Sequence, residues 1–168
     1  MKTLIILLLS IILAIPAWAQ PWPQHPPRIG RLFLKQEYWD YMKEAARRYH
    51  ISPFLIEAVC AIESRFDPHA SSGRGRCYGL MQLERNTAKK YGVDAHNPKE
   101  NIMGGAAILA RLWYKYNGNI DRMLHVYNAS CTRDYVYQVK LAYRQAQRCE
   151  SQFQQLCETS TTSERFNN

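Results

Sequence analysis

Apolar positions along this chain recur at helical spacing far more often than they alternate. Between Arg31 and Tyr49 they return at Tyr38, Tyr41, Met42, Ala45 and Tyr49, which share one face of a helix. Ser52 and Pro53 then restart the chain as an N-cap and first helical residue. The stretch Phe54 to Ile62 is apolar nearly all round, with Glu57 its one charge, and predicts a core helix that ends at Glu63. Asp67-Pro68 breaks that helix, and Ala70 to Tyr78 reads as a loop rich in Ser, Gly and Arg. A short helix over Asn86 to Tyr91 stops at Gly92, and a further loop passes through Asn97-Pro98.

Asn101 reads as the cap of a long helix with Ile102, Ala106, Leu109, Trp113 and Tyr116 on its buried side, ended by Gly118. Gly104 and Gly105 cost that helix stability, which points to close packing against its backbone. Helical spacing returns over Ile120 to Tyr127 and over Arg133 to Cys149, the latter with Val136, Val139, Tyr143 and Ala146 on one side. No run alternates as a strand would, although one short β-hairpin near Tyr78 to Met81 stays open. The fold class is therefore mainly α.

The ends differ in character from this middle. Met1-Lys2-Thr3 is positive, Leu4 to Ile15 is almost wholly apolar, and Ala17-Trp18-Ala19 has small residues at cleavage spacing, so residues 1–19 read as a signal peptide. The apolar run, interrupted by Pro16, falls short of the roughly 20 residues needed to span a bilayer, so no stable membrane anchor is expected. Gln20, not a cysteine, would open the exported chain, which argues against a lipid-modified end. Residues 20–30 form a Pro-rich mobile leader, 31–157 one helical domain, and 158–168 a polar disordered tail. A chain of 168 residues supports one such core and not two.

Charge narrows the partners. Lys and Arg number 22 against 14 Asp and Glu, a balance of +8 that falls to +7 when Lys2 leaves with the leader. Such a chain suits a polyanion: nucleic acid, an anionic membrane surface, or a wall polymer bearing carboxylates. Export favours the wall polymer, and no nucleic-acid motif accompanies the charge. The five cysteines would meet an oxidising compartment, so at least one disulfide is expected. Sequence leaves the connectivity open; the pairing adopted is Cys77 with Cys131 and Cys149 with Cys157, leaving Cys60 buried. No CxxC or HExxH spacing occurs, and neither a metal nor an organic cofactor is called for.

One carboxylate stands out. Glu63 follows Ile56, Val59 and Cys60 by seven, four and three residues and so projects from their apolar side. A carboxylate there loses water, which favours its protonated form and equips it as a general acid. The plainer reading is a helix-end glutamate facing solvent or pairing with Arg65, and position alone does not separate the two.

Its neighbours add more. Glu63-Ser64-Arg65-Phe66-Asp67-Pro68, Ala70-Ser71, Gly79-Leu80-Met81-Gln82, Thr87-Ala88, Tyr91-Gly92-Val93, Asn101-Ile102 with Gly104-Gly105, and Tyr127-Asn128-Ala129 together resemble the soluble lytic transglycosylase family, in the family's order, from about Tyr41 to Tyr143. Two departures are Ser130, where glycine is usual, and a loop before Gly79 that holds Arg74, Arg76 and Cys77. The resemblance implies a goose-type lysozyme-like helical domain that cleaves between N-acetylmuramic acid and N-acetylglucosamine without water. It implies Glu63 as the catalytic acid/base, with Ser64, Gly79, Met81, Gln82, Tyr127 and Asn128 as substrate-binding positions.

Signal-peptide cleavage would leave a periplasmic or secreted protein, and the resemblance, to small specialised members of the family, bears on what it works with. Its partners would be peptidoglycan strands and components of a secretion, conjugation or pilus system. Two rivals remain: a lysozyme-type hydrolase with Asp67, Glu84 or Asp94 as second carboxylate, and a wall-binding accessory protein without turnover. A secreted nucleic-acid binder rests on charge alone.

Overall fold

Ile51 to Ala61 are buried without a gap, so the segment has no face to give to solvent and the other helices are arranged around it. The computed structural model describes residues 34–72, 75–128 and 133–165, with side chains as far as Cys149 and at Ser151. Its elements in order are α1 (Gln36–Tyr49), α2 (Pro53–Ser64), β1 (Ser71–Ser72), β2 (Cys77–Tyr78), β3 (Leu83–Glu84), α3 (Arg85–Tyr91), α4 (Pro98–Lys115), α5 (Ile120–Tyr127) and α6 (Arg133–Arg165). The central helix is α2, which packs on α1, α4 and α6. Trp39 and Met42 of α1, Leu55 and Ile56 of α2, Leu109 and Leu112 of α4, and Met123 and Leu124 of α5 fill the core. Full burial of each such side chain stabilises by about 1.5–3 kcal/mol before chain entropy is set against it.

The strands form one antiparallel sheet in the order β1-β2-β3, with Ser71 opposite Tyr78 and Cys77 opposite Glu84. The hairpin anticipated near Tyr78 to Met81 is the second of its two, and Gly79 to Gln82 form its turn. The mainly α fold with a short hairpin is thus as expected.

Several boundaries are set by local chemistry. Gly92 ends α3 with φ +66, and α1 ends at His50, also left-handed. Ser52 stands at the N-cap of α2, but its hydroxyl makes no capping bond and is buried without a partner. The cap of α4 is Asn97, whose side chain accepts from Glu100 N at 3.1 Å, and not Asn101. Pro98 explains the shift: its fixed φ and missing N–H suit a first helical residue, so the helix starts one turn earlier.

At the other end α4 stops at Lys115, and Gly118 takes a left-handed conformation in the turn that follows. The α6 helix runs to Arg165, well past Cys149 and into the stretch expected to be a tail. After Gly118 the chain has no glycine or proline to stop a helix, and Gln, Glu and Arg favour one.

No disulfide joins two described cysteines: Cys60 is buried and unpaired, Cys77 is unpaired, and Cys131 and Cys157 lie outside the described side chains. The leader, residues 1–30, also lies outside the described residues, and no helix among those described is long and apolar enough to cross a membrane.

Candidate active site

Glu63 is the penultimate residue of α2 and half-buried. The helix ends behind it on two consecutive left-handed residues, Arg65 (φ 55) and Phe66 (φ 64), so the chain turns sharply at this point. Outside glycine that conformation costs on the order of 1–2 kcal/mol per residue. Phe66 offsets part of it by burying its ring. Arg65 turns to solvent, and none of the ion pairs among described residues involves Glu63.

The partner of Glu63 is instead Tyr135, at the start of α6 and 72 residues along the chain, whose hydroxyl donates to Oε1 at 2.6 Å. Burial raises the Glu63 pKa above the ordinary glutamate value, and the Tyr135 hydrogen bond pulls the other way. The result is a carboxylic acid that holds its proton longer than an exposed glutamate while one oxygen is fixed in place.

Glu63 opens into a cleft of about 540 Å³. The same cleft is lined by Gln82, Tyr127 and Asn128, so four of the seven expected site residues come together. The other three do not line it. The Ser64 hydroxyl lies 2.8 Å from the Leu80 carbonyl oxygen and 3.0 Å from that of Cys60, tying the end of α2 to the β2–β3 turn. Gly79 is buried with φ +76, and a Cβ there would stand 2.4 Å from Asn101 Nδ2. Met81 and Leu80 are fully buried, with Met81 Sδ 2.2 Å from where a Cβ of Gly105 would be. The glycine pair of α4 thus admits the turn: Gly105 faces Met81, and Gly104 faces Val93 and Leu83.

Asn101 braces this floor. It is 1 % exposed; its Oδ1 accepts from Met81 N, and its Nδ2 donates to Tyr78 O and Ala95 O, each at 2.8 Å. Tyr127 adds a second tie, its hydroxyl donating to Met81 O at 2.9 Å. Burial, and then the nearby Glu63, push the Tyr127 phenol well above its usual pKa, so it stays a donor. Gln82 is held at φ 46 by its own amide, whose Nε2 donates to Ala70 O and Gly79 O at 3.0 Å each. Both amide hydrogens are thereby engaged, and only Oε1 is left to face the cleft as an acceptor. Asn128 is both a cleft residue and the C-cap of α5.

Of the carboxylates weighed for a second role, only Glu84 lines the cleft. Asp67 and Asp94 each accept a backbone N–H two residues on, from His69 and His96, as turn-forming aspartates do. Among described residues no three His, Cys, Asp or Glu side chains converge on one point.

Sequence reasoning missed Tyr135, Lys90 and Arg111. Tyr135 lies one turn before Val139, on the stripe that also includes Ala142 and Ala146, and that spacing was its available signal.

Fold and site define a class: a small helical domain carrying one desolvated carboxylic acid in an open cleft with polar walls. The family model described as the transglycosylase SLT domain matches residues 40–148, and the chain belongs to that family. It is 38% identical over 93 residues to the transglycosylase of Enterobacteria phage PRD1, a match covering 55% of this chain and 34% of that protein. It is 42% identical over 77 residues to membrane-bound lytic murein transglycosylase F of Desulfosudis oleivorans, covering 45% of this chain and 17% of the relative. The matched stretch thus spans about a third or less of these relatives. The X-ray structure of an inactive mutant of lytic transglycosylase Slt from Pseudomonas aeruginosa is similar over 66% of this chain and 22% of that one, with 25% identity and a TM-score of 0.48.

Proposed function

We propose that the chain is an exported lytic transglycosylase, cleaving the bond between N-acetylmuramic acid and N-acetylglucosamine and leaving 1,6-anhydromuramoyl ends. One observation carries the reading: Glu63 is a desolvated acid at the cleft, oriented by Tyr135. In the proposed reaction Glu63 donates its proton to the bridging oxygen as the C1–O bond breaks. The substrate's own N-acetyl group stabilises the cationic centre. The C6 hydroxyl of the same sugar then bonds to C1, and Glu63 takes up the hydroxyl proton, which returns the site to its starting state. Attack from within one ring replaces a second enzyme carboxylate, because the nucleophile is already held close.

Gln82 Oε1 accepts from a sugar hydroxyl, and Asn128 and the free lone pair of Tyr127 Oη bind at the same wall. Ser64, Gly79 and Met81 act one layer below, fixing the turn that carries Gln82. The signal peptide at residues 1–19 delivers the chain to the periplasm or beyond, where it opens the wall locally for a secretion, conjugation or pilus machine.

Mass spectrometry of products released from peptidoglycan tests the chemistry. Anhydromuropeptides made by the parent protein and absent with Glu63→Gln are the expected result. Glu84, as a cleft carboxylate, keeps a hydrolase in view, and reducing muramic ends would establish that reading instead. A folded protein that releases nothing, and whose binding to wall is unchanged by Glu63→Gln, would be an accessory binder.

A further inference from the structure

The cleft carries cations that its acid/base chemistry does not use. Thr87, Lys90 and Tyr91 of α3 line it, as do Ile108, Arg111 and Leu112 of α4. In both helices these are residues i, i+3 and i+4, so each helix turns one face to the cleft. Ile108 and Leu112 are buried and form floor, whereas Lys90 and Arg111 are exposed at the rim. Neither cation makes an ion pair with a described residue. Arg76, from the β1–β2 turn, lines the same cleft. The carboxylates facing these three cations are Glu63 and Glu84, and Glu63 is the group that must begin protonated.

Where a stem peptide is attached, the lactyl carboxyl of muramic acid is tied up in an amide, so the sugars themselves offer these cations only hydroxyls and amides. The stem peptides attached to muramic acid end in and carry carboxylates. We propose that Lys90 and Arg111 form a subsite for stem-peptide carboxylates, so that the cleft prefers peptide-bearing strands to strands without charge. This rests on reading the cleft as a peptidoglycan site. Arg111 can take a carboxylate through two parallel N–H groups, and Lys90 supplies a point charge on a flexible stem. Cleft walls concentrate the field of both. Each exposed contact is worth up to about a fivefold change in affinity, so the pair gives a preference on the order of tenfold.

The test needs no turnover. The chain with Glu63→Gln is titrated with soluble glycan strands that keep their stem peptides, and with the same strands stripped by an amidase, their freed lactyl carboxyls converted to neutral amides. About tenfold tighter binding to the peptide-bearing form is expected, falling towards parity at high salt. Adding Lys90→Gln and Arg111→Gln should erase the preference, while Lys90→Arg with Arg111→Lys should keep most of it. A thermal melt of each variant separates loss of the subsite from loss of the fold. Equal, measurable affinity for both strands would overturn the subsite and leave the peptidoglycan reading intact, as would a preference that survives both glutamines. Binding to neither strand would overturn the peptidoglycan reading itself and the subsite with it.

Discussion

Gly105→Ala sets two effects of known sign against each other. In a helix interior, alanine is favoured over glycine by about 1 kcal/mol. At this position the new Cβ would stand 2.2 Å from Met81 Sδ, 2.8 Å from its Cε and 2.9 Å from its Cβ. The sulfur and terminal methyl could rotate aside in a loose site, but Met81 is fully buried and its Cβ moves only with the backbone. Overpacking of this kind costs about 1–3 kcal/mol, and a Cβ that no side-chain rotation can move aside places it near the upper end. The net is about 2 kcal/mol of destabilisation, or roughly 6–8 °C in melting temperature for a domain of this size.

The displaced residue also carries the carbonyl that anchors Tyr127 and the N–H held by Asn101. Activity should therefore fall by more than the unfolded fraction accounts for. Circular dichroism melts, with release of products from peptidoglycan measured well below the transition, test both parts. A variant that melts at or above the parent temperature would refute the close approach of α4 and the turn.

Asn101→Ala leaves Met81 N–H and two carbonyls without the partner they have now, and should cost about 3 kcal/mol or more in denaturant unfolding. A change under about 1 kcal/mol would mean that water replaces the brace. Tyr135→Phe removes the bond that favours ionised Glu63, so the acid should keep its proton to higher pH and the alkaline limb of kcat/KM should move upward. An unmoved limb would detach Tyr135 from the acid.

Glu57 is fully buried with both oxygens unpartnered, and burial raises its pKa well above the ordinary value. The fold therefore keeps a proton that the unfolded chain releases above the usual glutamate range. Stability on this account is complete below that range and declines as pH rises towards the folded-state value. Glu57→Gln should raise the melting temperature at about pH 7–8 and lose its advantage near about pH 4. A gain independent of pH would rule out a retained proton as the cause.

Helix positions were legible where local chemistry decides them. Gly92 ends α3 as read, and the apolar spacing found α1 and α5 to within a few residues where described. The all-round apolar character of Phe54 to Ile62 identified the central helix for a physical reason: only a segment enclosed by neighbours can expose no polar face. Asn97 and Asn101 were harder. Both are plausible caps, and Pro98 decides between them, but the actual work of Asn101 depends on three groups brought together only in the folded chain.

The site was legible in the same uneven way. Glu63 sits on an apolar stripe, which sequence reveals. Tyr135 meets it through the packing of α6 on α2, and no local pattern states which member of a stripe reaches across. Gln82 looks like a free amide in sequence, yet its nitrogen is turned inward to its own loop.

Glu63 and Tyr135 stand 72 positions apart in the chain, which bears on when the proposed acid could first act. In an extended chain Glu63 is a hydrated glutamate, ionised at neutral pH and unable to donate a proton to anything. Its retained proton depends on the burial that folding supplies, and the Tyr135 bond from α6 fixes the carboxyl in place. On the proposed function, a chain threaded unfolded across a membrane would carry no wall-cutting capacity during transit, and folding at its destination would be the step that arms it.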